Sequence, residues 1–135
     1  MLMKRLPLLL AAVALVSAGC NNSPTAPSPF NQTVNGSIGS FAYLSHDLTT
    51  PRAGVLTITL TWPAGDGRDL DLYVTPQDCQ DIYGEQPCTF LEESFASVGT
   101  SETITRAVQS GEPFRIWIDS FSFSDHAYTL QIGIQ

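Results

Sequence analysis

Charge is scarce in this chain, and cations are scarcest. Only 14% of the 135 residues are charged, with six Lys and Arg against thirteen Asp and Glu, a formal net charge of −7. The single lysine is Lys4, and beyond Arg5 the only cations are Arg52, Arg68, Arg106 and Arg115. A chain this acidic, with no basic cluster, repels nucleic acid and other polyanions. No stretch carries a convincing helical repeat. The phosphate loop, the zinc-protease helix and the Gly-x-Ser-x-Gly elbow are absent, which removes the usual motif-bearing enzyme classes. With two histidines, His46 and His126, a triad with Asp47 or Asp125 is the only catalytic sketch available. No apolar run after residue 20 is long enough to cross a bilayer, which takes about 20 residues.

The one long apolar run, Leu8 to Val16, spans nine residues and follows Lys4 and Arg5. That is the length and charge order of a secretory signal, and small residues close it. Leu15-Val16-Ser17-Ala18-Gly19-Cys20 resembles the lipid-attachment site of bacterial lipoproteins, with Ser17 where Leu is usual. The resemblance implies removal of residues 1–19, acylation of Cys20, and anchorage to a membrane by two or more chains, which holds stably where one does not. Asn21 in place of Asp implies the outer membrane over the inner one in a Gram-negative cell envelope. The alternative is an ordinary secretory signal that leaves a free thiol.

Assigning Cys20 to lipid leaves Cys79 and Cys88 of the three cysteines. In an oxidising compartment they are expected to pair as a disulfide. A zinc site would need two further soft ligands, for which only the two histidines are present. Residues 20–32, with Pro24, Pro27 and Pro29 and no charge, read as a linker. Extended at about 3.1 Å per residue, it spans roughly 35–40 Å.

From residue 33 to 135 the pattern has period two. Leu56, Ile58 and Leu60 alternate with threonines, Leu70, Leu72 and Val74 with Asp69, Asp71 and Tyr73, and Phe114, Ile116 and Ile118 with Arg115, Trp117 and Asp119. Tyr128 to Ile134 alternates likewise, with shorter strands expected at 41–45 and 100–107. Pro51, Pro63 to Gly67, Gly84 to Pro87 and Ser110 to Pro113 mark turns. Two half-apolar antiparallel sheets must cover each other, so the expected fold is a single all-β sandwich.

Within this region, Gly54 to Trp62, Asp69-Leu70-Asp71-Leu72-Tyr73-Val74, Ser101 to Thr105, Gly111 to Ile118 and Ala127 to Ile132 resemble, in order and spacing, the bacterial pre-peptidase C-terminal domain, related to the collagen-binding domains of bacterial collagenases. That resemblance implies a jelly-roll-like sandwich and a non-catalytic module that binds protein or polysaccharide, in some members with Ca²⁺. The chain lacks the acidic cluster such relatives carry at the entry to the sandwich, between Asn31 and Ser40.

Asp66, Asp69 and Asp71 form the candidate calcium site, because Ca²⁺ takes six to eight oxygens from carboxylates and loop carbonyls. Capping of a turn by Asp66 and pairing of Asp69 with an arginine is the plainer reading. Tyr73, Arg115 and Trp117 alternate away from the apolar faces of their strands and form the candidate ligand surface, with Phe121 and Phe123 nearby. The plainer reading there has Trp117 cover the sandwich edge or pack under the Phe121 loop. The expected function is therefore a membrane-anchored binding module for protein or glycan. The runners-up are an assembly partner of another envelope protein and a small hydrolase.

Overall fold

The computed structural model describes residues 28–65, 67–86 and 88–135. Cys20, the signal-like segment and Asp66 lie outside the described residues. Eight strands follow one another: β1 (Phe30–Ile38), β2 (Tyr43–Thr49), β3 (Gly54–Thr61), β4 (Leu70–Pro76), β5 (Glu92–Ser94), β6 (Ser101–Val108), β7 (Pro113–Ser120) and β8 (His126–Ile134). The first sheet has the order β1-β8-β3-β6 and the second β2-β7-β4-β5. Every pairing among them is antiparallel. Two four-stranded sheets between which the chain passes repeatedly make a jelly roll. The all-β sandwich expected from the alternation is what the chain forms.

The same alternation builds the core. Leu56, Ile58 and Leu60 of β3 face Leu70, Leu72 and Val74 of β4 in one apolar cluster, all at 0% exposure. Ile116, Ile118, Leu130 and Ile134 complete the interior. Burying side chains of this size contributes roughly 1.5–3 kcal/mol each.

One boundary differs from the sequence expectation. Residues 30–32 read as linker, yet they begin β1: Phe30 pairs with Ile134, Asn31 with Gly133 and Gln32 with Ile132. Backbone hydrogen bonds to the last strand outweigh the prolines just before, and Phe30 packs against the core.

The topology also sorts the connections. Ile38 pairs with His126 and Thr61 with Ser101, so the links β1–β2, β3–β4, β5–β6 and β7–β8 all lie at one end. Phe30 enters at the other, beside Ile134.

Candidate functional site

Of the residues singled out from the sequence, Asp71, Tyr73, Arg115 and Trp117 share the outward face of the second sheet. Strand register places Asp71 beside Asp119, Tyr73 beside Trp117 and Thr75 beside Arg115. Tyr73, Arg115 and Trp117 are therefore neighbours, as the alternation implied. They are not, however, an open platform. The excursion between β4 and β5 folds back over them, pinned by a Cys79–Cys88 disulfide with Cα atoms 5.5 Å apart. Cys79 and Ile82 pack on Trp117, with Tyr73 and Cys88 against the same cluster. Trp117 is only 3% exposed, and its indole N–H donates to Thr75 Oγ1 at 3.0 Å. It packs under the disulfide flap, not under the Phe121 loop.

Arg115 is committed as well. Its Nε and Nη2 donate to the two carboxylate oxygens of Asp47 at 2.6 and 3.0 Å, and its Nη1 donates to the Cys79 carbonyl at 2.6 Å. Its guanidinium holds the Asp47 carboxyl below the usual carboxylate range. The guanidinium thus ties strand β2 to the flap, and the cation expected to meet a ligand is a structural tie.

Beside Trp117 lies a set of carboxylates capped by phenols. Tyr73 Oη donates to Asp71 Oδ2 at 2.9 Å, Tyr83 Oη donates to Asp119 Oδ2, and Tyr43 Oη donates to Asp81 Oδ1 at 3.0 Å. Burial pushes Asp71 up to about 6, against the lowering effect of Tyr73 and with help from Asp69, Asp119 and Glu102. Burial also raises Asp119 and Asp69. Desolvation and the facing carboxylates raise the Tyr73 and Tyr83 phenols, so both remain protonated donors. Glu102, 5% exposed at the sheet-sheet margin, accepts from Ser94 Oγ and from the Ala96 amide at 2.7 Å.

Of the candidate calcium site, the described residues are Asp69 and Asp71. Among the described residues no group of three or more His, Cys, Asp or Glu side chains could hold a metal ion. Asp71 is raised toward neutrality and already accepts from Tyr73. Asp69 Oδ contributes no described contact, and Asp66 lies outside the described residues.

The catalytic sketch does not assemble either. His46 Nε2 lies 3.0 Å from Tyr128 Oη on the inner side of β2, whereas Asp47 pairs with Arg115 on the outer side. His126 Nδ1 is 3.0 Å from the Ser124 carbonyl, and Asp125 Oδ1 accepts from the Ser40 amide. Neither histidine is oriented by its neighbouring aspartate, as a base in a triad must be.

A surface the alternation could not show lies at the end where the four links gather. Phe41, Phe95, Val98 and Phe123 are 60%, 63%, 83% and 82% exposed, and Phe121 is also exposed. Phe41 and Phe123 meet edge to face, with centroids 5.0 Å apart. Phe41 adopts a left-handed φ of 49°, which costs a non-glycine residue about 1 kcal/mol. That conformation is held by the Phe41 amide and Ser40 Oγ, which both donate to the Ser122 carbonyl. The link between β1 and β2 is thereby bound to the link between β7 and β8, and two rings that could have turned inward are displayed. The strand expected at 41–45 begins instead at Tyr43 and leaves Phe41 in the turn; for Phe121 and Phe123 the signal in the sequence was phenylalanine among serines, outside any period-two run.

Taken together, these features define a small jelly-roll domain with a disulfide-pinned flap on one face and an apolar loop end. No family profile and no curated protein matches the chain. Among solved structures it is similar to a mitogen from Yersinia pseudotuberculosis, with a TM-score of 0.56 and 15% identity over 80% of this chain and 88% of that one. It is similar to the pre-peptidase C-terminal domain of a collagenase from Bacillus anthracis, with a TM-score of 0.55 and 17% identity over 76% and 88%. It also resembles PliG of Aeromonas hydrophila, a periplasmic inhibitor of g-type lysozyme, with a TM-score of 0.53 and 14% identity over 82% and 91%. At these identities the likeness establishes the fold, one shared with the pre-peptidase C-terminal domain.

Proposed function

We propose that the chain is an extracytoplasmic lipoprotein, anchored through Cys20, whose sandwich is a non-catalytic binding module that meets a protein partner at its loop end. The observation that carries this reading is the concentration of exposed large apolar side chains, Phe41, Phe95, Val98, Phe121 and Phe123, on the links at one end. Phe41 and Phe123 form one exposed apolar patch there, and such a patch on a small domain marks an interaction site. The chain enters at Phe30, and β1 carries it nine residues, or about 30 Å, to the opposite end. An anchor at Cys20 would therefore attach through the end opposite the exposed phenylalanines. A similar fold serves, in the Aeromonas protein, as an inhibitor of another protein.

The test is photocrosslinking in the native envelope, with the reactive group placed at position 123 or, as a control, at position 103 on the first sheet. A discrete protein adduct at 123, absent at 103 and lost in Phe41→Ser, supports the reading. No adduct at 123, or the same adduct at both positions, overturns it. Mass spectrometry of the N-terminal peptide tests the anchor separately: diacylglycerol on Cys20 supports it, and an unmodified thiol removes it.

A further inference from the structure

The two sheets end in four edge strands, β1 and β6 in the first and β2 and β5 in the second. An edge strand is a template on which another strand can pair, and short edges or charges on them block that pairing. Three of the four are protected in this way. On β6, Glu102 and Arg106 turn inward: Glu102 accepts from Ser94 and Ala96, and Arg106 pairs with Glu92 and Glu112. β2 carries Asp47, bound to Arg115, and β5 is three residues long. β1 has none of these devices. It is nine residues long, pairs with β8 through nine consecutive positions without a bulge, and contains neither proline nor charge. Among the described residues no strand lies on its other side.

The pattern of β1 names its occupant. An antiparallel strand pair has a two-fold axis of its own, so one strand can serve as both partners of a symmetric contact. Reversed about Val34, β1 matches itself in kind. Val34 meets Val34, Phe30 meets Ile38, Asn31 meets Ser37 and Thr33 meets Asn35, while Gln32 meets Gly36. The apolar pairs fall on the inward side, where Phe30 and Val34 are only partly covered by the core. The polar pairs fall on the outward side. The sheet already makes one Thr–Asn pair across neighbouring strands, where Thr129 Oγ1 donates to Asn35 Oδ1 at 2.8 Å. The side-chain nitrogen of Asn35 carries two N–H donors that can meet the Thr33 hydroxyl of a second copy.

We infer that β1 pairs antiparallel with β1 of a second copy of this chain, about a two-fold axis at Val34, joining two four-stranded sheets into one of eight strands. Nine residue pairs supply about eight to ten backbone hydrogen bonds, a number typical of a whole protein–protein interface. Charge permits the contact. Chains of net charge −7 repel one another, but no residue between Arg5 and Asp47 is Lys, Arg, Asp or Glu, so this edge brings no like charges together. The edge is distinct from the loop end, and the inference goes beyond the protein-binding reading.

The test is disulfide trapping with the full chain in its native envelope. Val34→Cys sets two thiols across the axis at the Cα separation of directly opposed residues, about 4.5–5.5 Å, which is within disulfide reach. Val34→Cys should give a homodimer on non-reducing gels, and Thr105→Cys on the β6 edge should not. Adding Thr33→Glu with Asn35→Glu sets like charges opposite each other and should cut the dimer at least tenfold. Thr33→Glu with Asn35→Lys sets opposite charges there and should restore it. Both positions are exposed, and an unchanged melting temperature separates lost pairing from lost folding. Phe123→Ser should leave the dimer intact, which keeps failure of the loop-end reading separate. Monomer alone from Val34→Cys, equal dimer from Thr105→Cys, a dimer indifferent to the like charges, or no recovery with opposite charges overturns the inference. So does an adduct of Val34→Cys with a different protein, which assigns the edge to another chain.

Discussion

Replacing Asp71 with asparagine should stabilise this protein at neutral pH. Asp71 is 8% exposed, stands beside Asp119 in strand register, and is pushed up to about 6 from 3.8. A carboxyl whose folded value is raised favours folding only when protonated. Its contribution is complete below the unfolded value and is lost as pH rises through about 6. The shift of about two units corresponds to roughly 3 kcal/mol at most, and an expected gain of about 1–3 kcal/mol allows for relaxation around the ionised group. The amide oxygen of asparagine still accepts from Tyr73 Oη, so no phenol is orphaned. For a domain of this size that gain raises Tm by at least about 4 °C. Circular dichroism melts of the wild type and Asp71→Asn at pH 7.5, 6.5, 5.5 and 4.5 measure it. The advantage should be largest at pH 7.5 and gone near pH 4. Comparison at each pH is needed because His46 acts in the opposite sense: burial lowers its value, so charging it as pH falls costs stability in both proteins. An Asp71→Asn protein that melts with or below the wild type at pH 7.5 refutes the assignment of Asp71 as a burdened buried carboxylate.

The disulfide and the flap it pins give two further expectations. Cys79→Ser with Cys88→Ser opens a small loop and should cost about 2–3 kcal/mol, with a red shift in tryptophan emission as Trp117 loses its cover while buried Trp62 stays as background. An unshifted spectrum would mean that the flap stays seated without the bond. Trp117→Ala should cost about 3–5 kcal/mol in chemical denaturation, and an unchanged midpoint would contradict its burial.

Parts of this molecule were legible from local pattern and parts were not, for a physical reason. Alternation is a local property, and it correctly sends Leu56, Ile58 and Leu60 inward and Asp71, Tyr73, Arg115 and Trp117 outward. Outward from a sheet is not the same as exposed to solvent. What covers Trp117 comes from residues 79–88, whose folding back over β7 depends on a turn, a covalent bond and the Arg115 hydrogen bond to the Cys79 carbonyl. The cysteine pair was readable, but the surface it closes was not. Likewise the start of β1 was hidden by Pro24, Pro27 and Pro29, because the partner that makes Phe30 a strand residue is Ile134, at the far end of the chain. The loop end was hidden for a topological reason: only the strand order brings residues 41, 95 and 123 to the same end of the sandwich.

The two outward faces of the sandwich have been treated in opposite ways, and the difference bears on function. The second sheet gathers Asp47, Asp71, Asp119 and Arg115, and then hides part of what it gathers beneath a disulfide-pinned flap, so Asp71 and Asp119 are raised and Arg115 is paired with Asp47. Burying several carboxylates together costs stability, and a domain that only needed to fold would place them in water. The flap recovers part of that cost through Ile82, the disulfide and two tyrosine hydrogen bonds that join it to the sheet. The first sheet does the reverse: its outward face carries no charge and has two open clefts, over Gly133 and over Ala127. A domain that must keep one broad face neutral and accessible has to accommodate its acidity elsewhere, and the covered carboxylates of the second sheet are where this chain places part of it.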